Sequence, residues 1–267
     1  MSTDWLGISG KVVIVTGGSS GIGESIITEL LEQGVKVVNA DIHDNGKKHD
    51  NLLFVKTDVS SKKDAEKVVE ETLKALGTID GLVNNAGINI PRLLVDKKHF
   101  YGKYELSEDV FDKMTTINQK GVYLMAQAVA RVLVRKNSGV IINMSSESGL
   151  EGSEGQSCYA ATKAAINSFT RSWAKELGKS NIRVVGIAPG IMEETGLRTL
   201  EYETALAYTR GITVEKLREN YSRTSTIPLG RSGKLSEIAD LVCYYLSGRS
   251  SYITGITTNV AGGKSRG

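Results

Sequence analysis

Short runs of β-branched and aliphatic residues alternate with longer amphipathic stretches along the chain. The runs that predict strands cover residues 12–15, 35–40, 52–56, 79–84, 139–144, 182–188 and 256–260. Runs that are apolar on both faces are typical of strands buried in a parallel sheet, and the stretches between them have helical periodicity. The order predicts an α/β fold: a doubly wound, mainly parallel seven-stranded sheet with helices on both faces.

The 267-residue chain has no repeat, low-complexity tract or linker that would divide it. We therefore expect a single domain over residues 1–267. Residues from about 191 to 227 are too many for a simple connection between a strand and a helix. They predict a helical flap that closes over the substrate, with a purely structural flap as the equal alternative. A further helix is predicted from residue 107 to 135, and it has more apolar positions than one buried stripe requires, which is compatible with a subunit contact.

Composition narrows the class of protein. The net charge is +3, and no basic and aromatic residues alternate in the way typical of nucleic-acid binding. The chain contains two cysteines, begins without a secretory pattern and has no apolar stretch of membrane-spanning length. Its three histidines lack the spacing of metal ligands. These features predict a cytoplasmic protein that binds neither nucleic acid, membrane nor metal.

A glycine-rich turn follows the first predicted strand and precedes a helix expected over residues 22–33. Without β-carbons the backbone can approach a pyrophosphate, and the helix N-terminus offers free amides and partial positive charge. The spacing Gly-x-x-x-Gly-x-Gly has a longer first gap than the usual dinucleotide fingerprint, and a tight connection is the alternative interpretation. The strand before and the helix after favour dinucleotide binding, as in a Rossmann fold. The candidate residues are Gly17, Ser19, Ser20, Gly21, Ile22 and Gly23.

Asp41 ends the second predicted strand, eighteen residues after Gly23. At this position a carboxylate can accept hydrogen bonds from both hydroxyls of an adenosine ribose, and it would repel a 2′-phosphate. No basic residue stands in the glycine-rich turn to hold such a phosphate, although His43 is close. The sequence therefore favours NAD over NADP, with an ordinary turn aspartate as the alternative.

Tyr159 and Lys163 lie four residues apart in an alanine-rich stretch that favours a helix, so their side chains share one face. Deprotonating a tyrosine of pKa ~10 at neutral pH costs about 4 kcal/mol. A positive charge roughly 4 Å away supplies energy of that order at an effective dielectric constant of about 20. We therefore expect Lys163 to lower the pKa of Tyr159 and make it a general base. Taken alone, the same spacing is also found on solvated helix faces.

These features occur in the order characteristic of the short-chain dehydrogenase/reductase family, which the chain closely resembles over nearly its whole length. The matching segments are residues 16–23, 58–59, 84–87, 118, 146, 159–163 and 189–190. The resemblance implies an oxidoreductase with a nicotinamide cofactor, assembled as a homotetramer. It also implies a catalytic tetrad: Asn118, Ser146, Tyr159 and Lys163.

The resemblance adds cofactor contacts beyond the glycine-rich turn. They follow the third, fourth and sixth predicted strands, and they are Asp58, Val59, Asn85, Ala86, Gly87, Pro189, Gly190 and Ile191. Tyr159 and Lys163 are implied cofactor contacts as well, with Lys163 bonding the nicotinamide ribose. Among three neighbouring serines, the family spacing to the tyrosine selects Ser146. Without the resemblance, Asn118 would be interpreted as a polar residue that interrupts or caps a helix.

The last third of the chain is similar to bacterial dehydrogenases of sugar-alcohol phosphates within this family. That likeness implies oxidation of a secondary alcohol to a ketone, with Ser146 and Tyr159 contacting the substrate and a cation binding its phosphate. Arg92, in a segment of excess positive charge, and Arg198, in the flap, are the candidate cations. The alternatives are an enzyme of the same fold acting on an unphosphorylated polyol, sugar or ketone, and a regulator that binds the cofactor without catalysis.

Overall fold

The structure, a computed structural model, describes residues 5–193, 195, 198–223 and 226–265, with the backbone alone for Ser222 and Arg223. The positions of the predicted flap at 194, 196–197 and 224–225 lie outside the described residues. The strands are β1 Val12–Thr16, β2 Lys36–Asp41, β3 Leu52–Lys56, β4 Gly81–Asn84, β5 Gly139–Met144, β6 Ile182–Pro189 and β7 Thr257–Val260.

The strands form one seven-stranded sheet in the order β3-β2-β1-β4-β5-β6-β7, and every pairing among the described strands is parallel. The predicted α/β fold is confirmed, and the sheet is entirely parallel rather than mainly so. The chain moves outward in one direction from β1 to β3 and in the other from β4 to β7. In such sheets a crevice opens at the carboxyl ends of the strands where the direction reverses, here between β1 and β4.

Helices cover both faces of the sheet. They are α1 Gly21–Glu32, α2 Lys62–Leu76, α3 Glu108–Thr115, α4 Gly121–Lys136, α5 Ser148–Glu151, α6 Ser157–Leu177, α7 Leu200–Thr209, α8 Val214–Arg223 and α9 Leu235–Leu246. α1 and α9 pack together on one face, and α2, α4 and α6 bury their apolar sides on the other. Among the described residues, no helix has both the length and the apolar character needed to cross a membrane.

The helix predicted over residues 107–135 is interrupted. Between α3 and α4 the backbone forms a π-helical turn, Thr116–Lys120, and Asn118 lies fully buried within it. The Asn118 amide group donates to the Ile88 carbonyl oxygen at 2.8 Å, and its oxygen accepts from the Ile88 amide at 2.8 Å. Because these bonds draw Asn118 towards the segment after β4, the helix widens at this point instead of continuing regularly.

Helices α7 and α8 lie within the predicted flap, and they share a small core of Leu206, Ala207 and Leu217. The end of α7 is anchored to the segment after β4. There the Tyr208 hydroxyl donates to the Asp96 carboxylate at 2.8 Å, and the Tyr208 ring stacks on Tyr104 at 4.1 Å between centroids. α7 is therefore held over the carboxyl edge of the sheet in the described conformation.

Candidate active site

Tyr159 and Lys163 face the crevice from α6. Lys163 is 5% exposed, and its Nζ donates to the carbonyl oxygen of Met144, the last residue of β5, at 2.8 Å. The same nitrogen lies 5.7 Å from the centre of the Tyr159 ring. The predicted helix thus brings the phenol and the ammonium to one face, and the ammonium is tied to the end of the neighbouring strand.

Burial dominates the electrostatics of this pair. Desolvation lowers the pKa of Lys163 to about 8. Desolvation also raises the pKa of Tyr159, and a hydrogen bond with Ser146 opposes that rise only in part. The pKa of Tyr159 is thus raised overall, because a buried phenolate is costly, and a lowering of this pKa by Lys163 stays a prediction.

The neighbouring serines Ser145 and Ser146 have different partners. Ser145 is buried, and its hydroxyl donates to the backbone oxygen of Lys163 at 3.1 Å, which fixes the end of β5 to α6. Ser146 directs its hydroxyl to the Tyr159 phenol and accepts a hydrogen bond from the Ser148 hydroxyl at 3.0 Å. The alternation of side chains at the strand end thus places Ser146 in the crevice.

Asn118 and Lys163 approach one another across Gly87. A β-carbon on Gly87 would lie 3.2 Å from the Asn118 Oδ1 and 3.6 Å from the Lys163 Nζ. The space beside this glycine is therefore bordered by a hydrogen-bond acceptor and a hydrogen-bond donor. A water molecule there would have two protein partners.

The glycine-rich turn after β1 has the shape of a pyrophosphate site. A β-carbon on Gly23 would lie 2.1 Å from the Gly17 carbonyl oxygen, so only glycine lets α1 begin this close to the turn. Asn85 closes the turn by donating from Nδ2 to the Gly17 carbonyl oxygen at 3.0 Å. The Ser20 side chain accepts no hydrogen bond from the first turn of α1, whereas Ser61 and Ser107 cap α2 and α3. The first amides of α1 are thus available to a phosphate, so the described residues fit a dinucleotide.

The remaining residues predicted around this turn line the same edge. Ala86 donates its amide to the Thr16 hydroxyl at 3.0 Å and packs on Gly17. Ser19 donates its amide to the Asp41 carboxylate at 3.0 Å, which places the carboxylate beside the turn at the end of β2. Ile22 is half-buried behind the turn and packs against the core.

The predicted cofactor contacts that follow β3 and β6 lie at the same carboxyl ends of the strands. The Asp58 carboxylate accepts hydrogen bonds from the amide and hydroxyl of Ser60, and the Val59 side chain is buried. Gly190 donates its amide to the Val260 carbonyl oxygen at 3.0 Å, and Ile191 is bonded through its carbonyl oxygen to the Gly233 amide at 3.0 Å. The Pro189 carbonyl oxygen accepts from the Glu147 amide at 3.0 Å.

The flap contributes polar groups on the substrate side of Tyr159. Gln156, the residue that precedes α6, donates from Nε2 to the Tyr202 hydroxyl at 2.9 Å. Tyr202 is hydrogen-bonded in turn to Tyr221, and burial raises the pKa of Tyr202. The Arg198 guanidinium lies 3.8 Å from the centre of the Tyr221 ring. A continuous polar series therefore runs from the base of α6 to Arg198.

Arg92 lies on the other side of α7. It lines a cavity of about 280 Å³ together with Lys103, Tyr104, Leu200, Glu201, Thr204 and Ala205. Its guanidinium donates to the Pro91 carbonyl oxygen at 2.8 Å. Burial lowers the pKa of Arg92, and the Glu201 carboxylate opposes that change. Part of its charge is therefore already balanced by the flap.

The described residues indicate neither a nucleophilic cysteine nor a cluster of metal ligands. Cys158 adjoins Tyr159, but burial raises the pKa of the Cys158 thiol, which disfavours a nucleophilic role. In the part of the chain that the structure describes, no group of three metal-ligating side chains converges on one point.

Comparison with known proteins identifies the family. The profile of the family described as short chain dehydrogenase matches residues 11–205. The chain belongs to this family. It is 63% identical over 265 residues to a sorbitol-6-phosphate 2-dehydrogenase of Klebsiella pneumoniae, an alignment that covers 98% of this chain and 99% of the relative. It is 36% identical to a 3-oxoacyl-[acyl-carrier-protein] reductase of Thermotoga maritima, covering 96% and 98% of the two chains.

Solved structures of related enzymes have the same fold. An aldohexose dehydrogenase from Thermoplasma acidophilum superposes with a TM-score of 0.83 at 26% identity, covering 97% of this chain and 95% of the other. A 3-ketoacyl-(acyl-carrier-protein) reductase from Brucella melitensis, complexed with NADH, superposes with a TM-score of 0.81 at 30% identity, covering 97% and 100%. The resemblance inferred from the motifs is confirmed. This short-chain dehydrogenase is an oxidoreductase that uses a nicotinamide cofactor.

Sequence reasoning overlooked three side chains at the site. Gln156 connects α6 to the flap, and Glu147 forms an ion pair with Lys264 directly beside Ser146. The position of Glu147 is the one available signal, because a carboxylate inside a serine-rich turn after a buried strand needs a partner. Lys264 offered no such signal, since it stands 117 residues away near the end of the chain.

Proposed function

We propose that this enzyme interconverts sorbitol 6-phosphate and fructose 6-phosphate with NAD. The observation that carries the proposal is the 63% identity, over 98% of the chain, to a protein named for that reaction. The arrangement of Ser146, Tyr159 and Lys163 at the crevice supports it, because a secondary alcohol and its ketone need a group that moves one proton while a hydride moves separately.

The cofactor would be held by the turn after β1 and by the residues at the ends of β2, β3, β4 and β6. When bound, the nicotinamide supplies the hydride acceptor or donor. The chain's own residues handle the proton. Tyr159 accepts the hydroxyl proton during oxidation and returns it during reduction, and Ser146 orients the reacting oxygen through the hydrogen bond that it shares with the phenol.

Lys163 and Asn118 supply the route for that proton. The Lys163 ammonium, whose pKa is lowered to about 8, can lose or gain a proton near neutral pH at little cost. We infer that a water molecule beside Gly87 connects Lys163 to Asn118, since both groups border that space. Burial disfavours the Tyr159 phenolate, and the hydrogen bond from Ser146 offsets part of that cost.

We infer a preference for NAD over NADP from Asp41. Both of its oxygens accept backbone amides, one from Ser19 and one from His43, so the carboxylate is fixed beside the turn. A fixed negative charge there would repel a 2′-phosphate and accept ribose hydroxyls.

Arg198 is the better candidate for the substrate phosphate. It lies at the far end of the polar series that begins beside Tyr159, and its planar guanidinium can bind two phosphate oxygens. Arg92 is the alternative, but Glu201 already offsets its charge. Gln156 and Tyr202, between Tyr159 and Arg198, are placed to meet the hydroxyls of an extended polyol.

A cytoplasmic homotetramer is the assembly that we propose. Phe111 on α3 and Tyr123 on α4 are 46% and 41% exposed, and they present apolar surface on the helical run whose excess of apolar positions is compatible with a subunit contact. Light scattering of the purified protein measures the mass directly. A monomeric mass would contradict this assembly without bearing on the reaction.

The test of the reaction is NADH formation with sorbitol 6-phosphate, beside free sorbitol and with NADP in place of NAD. Turnover confined to the phosphorylated substrate and NAD is expected. Equal turnover with free sorbitol would replace the substrate by an unphosphorylated polyol. Tight NADH binding without turnover of any polyol, sugar or ketone would identify a regulator that binds the cofactor without catalysis.

A further inference from the structure

A partly buried ion pair links the loop that carries Ser146 to the segment after β7, the last strand. Glu147, the residue next to Ser146, receives a hydrogen bond from the Lys264 ammonium. The Glu147 side chain is 12% exposed and that of Lys264 is 28% exposed. Removing two charges from water is costly, so losing either partner would leave the other charge partly buried and uncompensated.

The pair crosses the end of β6, which lies between β5 and β7 in the sheet. Gly190 stands directly beneath the crossing. A β-carbon on Gly190 would lie 2.7 Å from the Glu147 Oε2 and 2.7 Å from the Ala261 Cβ. The glycine of the predicted nicotinamide turn therefore leaves the space through which the carboxylate reaches Lys264.

Backbone hydrogen bonds run in parallel with this side-chain contact. The Glu147 amide donates to the Pro189 carbonyl oxygen at 3.0 Å, and the Gly190 amide donates to the Val260 carbonyl oxygen at 3.0 Å. The carboxyl ends of β5, β6 and β7 are thus joined in one network. The ion pair closes this network by linking the residues after β5 to those after β7. A shift of Lys264 would be transmitted to Ser146 through a single intervening residue.

The segment that carries Lys264 also contacts the end of the flap. A β-carbon on Gly262 would lie 2.6 Å from the Cγ2 atom of Ile227, the last residue of the flap, and just beyond it the Leu229 amide donates to the Gly262 carbonyl oxygen at 3.2 Å. The residues after β7 therefore lie between the end of the flap and the Ser146 loop, and contact both.

We propose that Glu147 and Lys264 are positioning residues: their ion pair holds the Ser146 hydroxyl and the Pro189–Gly190 turn in the relative placement that hydride transfer requires. Neither side chain touches the reacting atoms. The pair acts through Ser146 on one side and through the nicotinamide turn on the other. The proposal rests on the proposed function only for the substrate used in its test.

The first variant is Lys264→Met, which keeps the aliphatic stem and removes the charge. We expect kcat for sorbitol 6-phosphate oxidation to fall between about 10- and 100-fold, the size of effect that a misplacement near 1 Å can cause. The dissociation constant of NADH should rise, and KM for the sugar phosphate should stay near the wild-type value, because Arg198 is unaffected. A purely structural pair would instead lower the melting temperature and leave kcat and NADH binding unchanged.

The matched control is Lys136→Met. Lys136 pairs with Asp80, and the two side chains are 31% and 20% exposed. This pair joins the end of α4 to the start of β4, so it lies at the amino-terminal ends of the strands, away from the site. Lys136→Met should lower the melting temperature while kcat and NADH affinity stay at wild-type values. Equal loss of kcat in both variants would overturn the proposal.

Two further variants test the contact itself. Exchanging the partners, as E147K with K264E, restores an ion pair in the same place and should recover most of the kcat lost in Lys264→Met. Glu147→Gln keeps an oxygen that can accept from Lys264 and should retain more activity than Glu147→Leu. If a folded exchange variant is no more active than Lys264→Met, and Gln and Leu behave alike, the positioning role is wrong.

Wild-type turnover is measured first. Absence of turnover with sorbitol 6-phosphate would contradict the proposed function alone. The NADH dissociation constants of the same variants would still decide whether the ion pair positions the Pro189–Gly190 turn, since that turn is proposed to contact the cofactor whichever alcohol is oxidised.

Discussion

The Lys163 ammonium lies 5.7 Å from the centre of the Tyr159 ring and donates to the Met144 carbonyl oxygen. The two side chains share a helix face, as their spacing predicts, but burial controls the ionisation of both. It disfavours the charged form of each, so the pKa of Tyr159 is raised and that of Lys163 is lowered. The site therefore holds a neutral phenol at neutral pH, ready to donate a proton during reduction.

Replacing Tyr159 by Phe removes the group that carries the proton and keeps the ring. We expect kcat to fall at least ~10²-fold in both directions, in line with measured general acid–base contributions. NADH titration should give a dissociation constant close to that of the wild type. Normal turnover in this variant would remove Tyr159 from the mechanism.

Replacing Ser146 by Ala should shift the pH profile of oxidation. Oxidation needs the deprotonated phenol, so its rate rises with pH until Tyr159 is ionised. The hydrogen bond with Ser146 lowers the pKa of Tyr159, and its loss should move that rise to higher pH. The profile of kcat/KM against pH is the measurement. Ser145→Ala is the control, because Ser145 bonds to the backbone of α6, and its profile should keep the wild-type midpoint.

Lys163 gives the stability of the protein a pH dependence of known sign. Its pKa falls from 10.5 to about 8 on folding, so between these values the unfolded chain binds more protons than the folded one. Stability due to this group therefore rises with pH across that window and is constant below it. Relative to Lys163→Met, the wild-type free energy of unfolding should increase by roughly 3 kcal/mol from pH 7 to 10.5.

Urea unfolding at several pH values measures this difference. Lys175→Met, on the exposed face of the same helix, is the matched control and should show no such change. A difference between wild type and Lys163→Met that stays constant with pH would mean that Lys163 is not desolvated.

Replacing Asp41 by Ala should change the choice of cofactor. Loss of the carboxylate would remove the proposed repulsion of a 2′-phosphate. It would also remove the proposed hydrogen bonds to the ribose, each of which contributes about 1.5–3 kcal/mol when a charged group is involved. We expect kcat/KM to fall about 10- to 100-fold with NAD and to rise with NADP. Asp44→Asn, in the same loop, controls for loss of charge and should leave the ratio of the two cofactors unaltered. A wild-type ratio in Asp41→Ala would contradict the preference for NAD.

Replacing Arg198 by Ala should raise KM for the phosphorylated substrate by about 10-fold or more, because a charged hydrogen bond to phosphate contributes about 1.5–3 kcal/mol. NADH affinity should be unchanged. Arg92→Ala should have a smaller effect, since Glu201 offsets the Arg92 charge. Arg171→Ala, on the exposed face of α6, controls for net charge. The assignment is reversed if Arg92→Ala raises KM and Arg198→Ala does not.

The sequence by itself determined the seven strands, their alternation with helices and the family. Each of these rests on local patterns: β-branched runs that only a buried strand can use, glycines that let α1 begin against the turn, and a tyrosine and a lysine one helical turn apart. The strand boundaries differ from the predicted ones by at most a few residues. Ser146 follows β5 and meets Tyr159 on α6, as the spacing predicts, while the catalytic role of the tetrad stays a prediction.

Only the tertiary structure determined which side chains distant in sequence are in contact and how burial shifts their pKa values. Burial depends on every element packed around α6, so the raised pKa of Tyr159 could not be derived from its spacing to Lys163. The π-helical turn at Asn118 arises from its hydrogen bonds to Ile88, thirty residues earlier. Glu147 and Lys264 are 117 residues apart and meet only because β5, β6 and β7 are neighbours in the sheet. Local pattern specifies elements, whereas long-range pairing sets which side chains share a dielectric environment and a hydrogen bond.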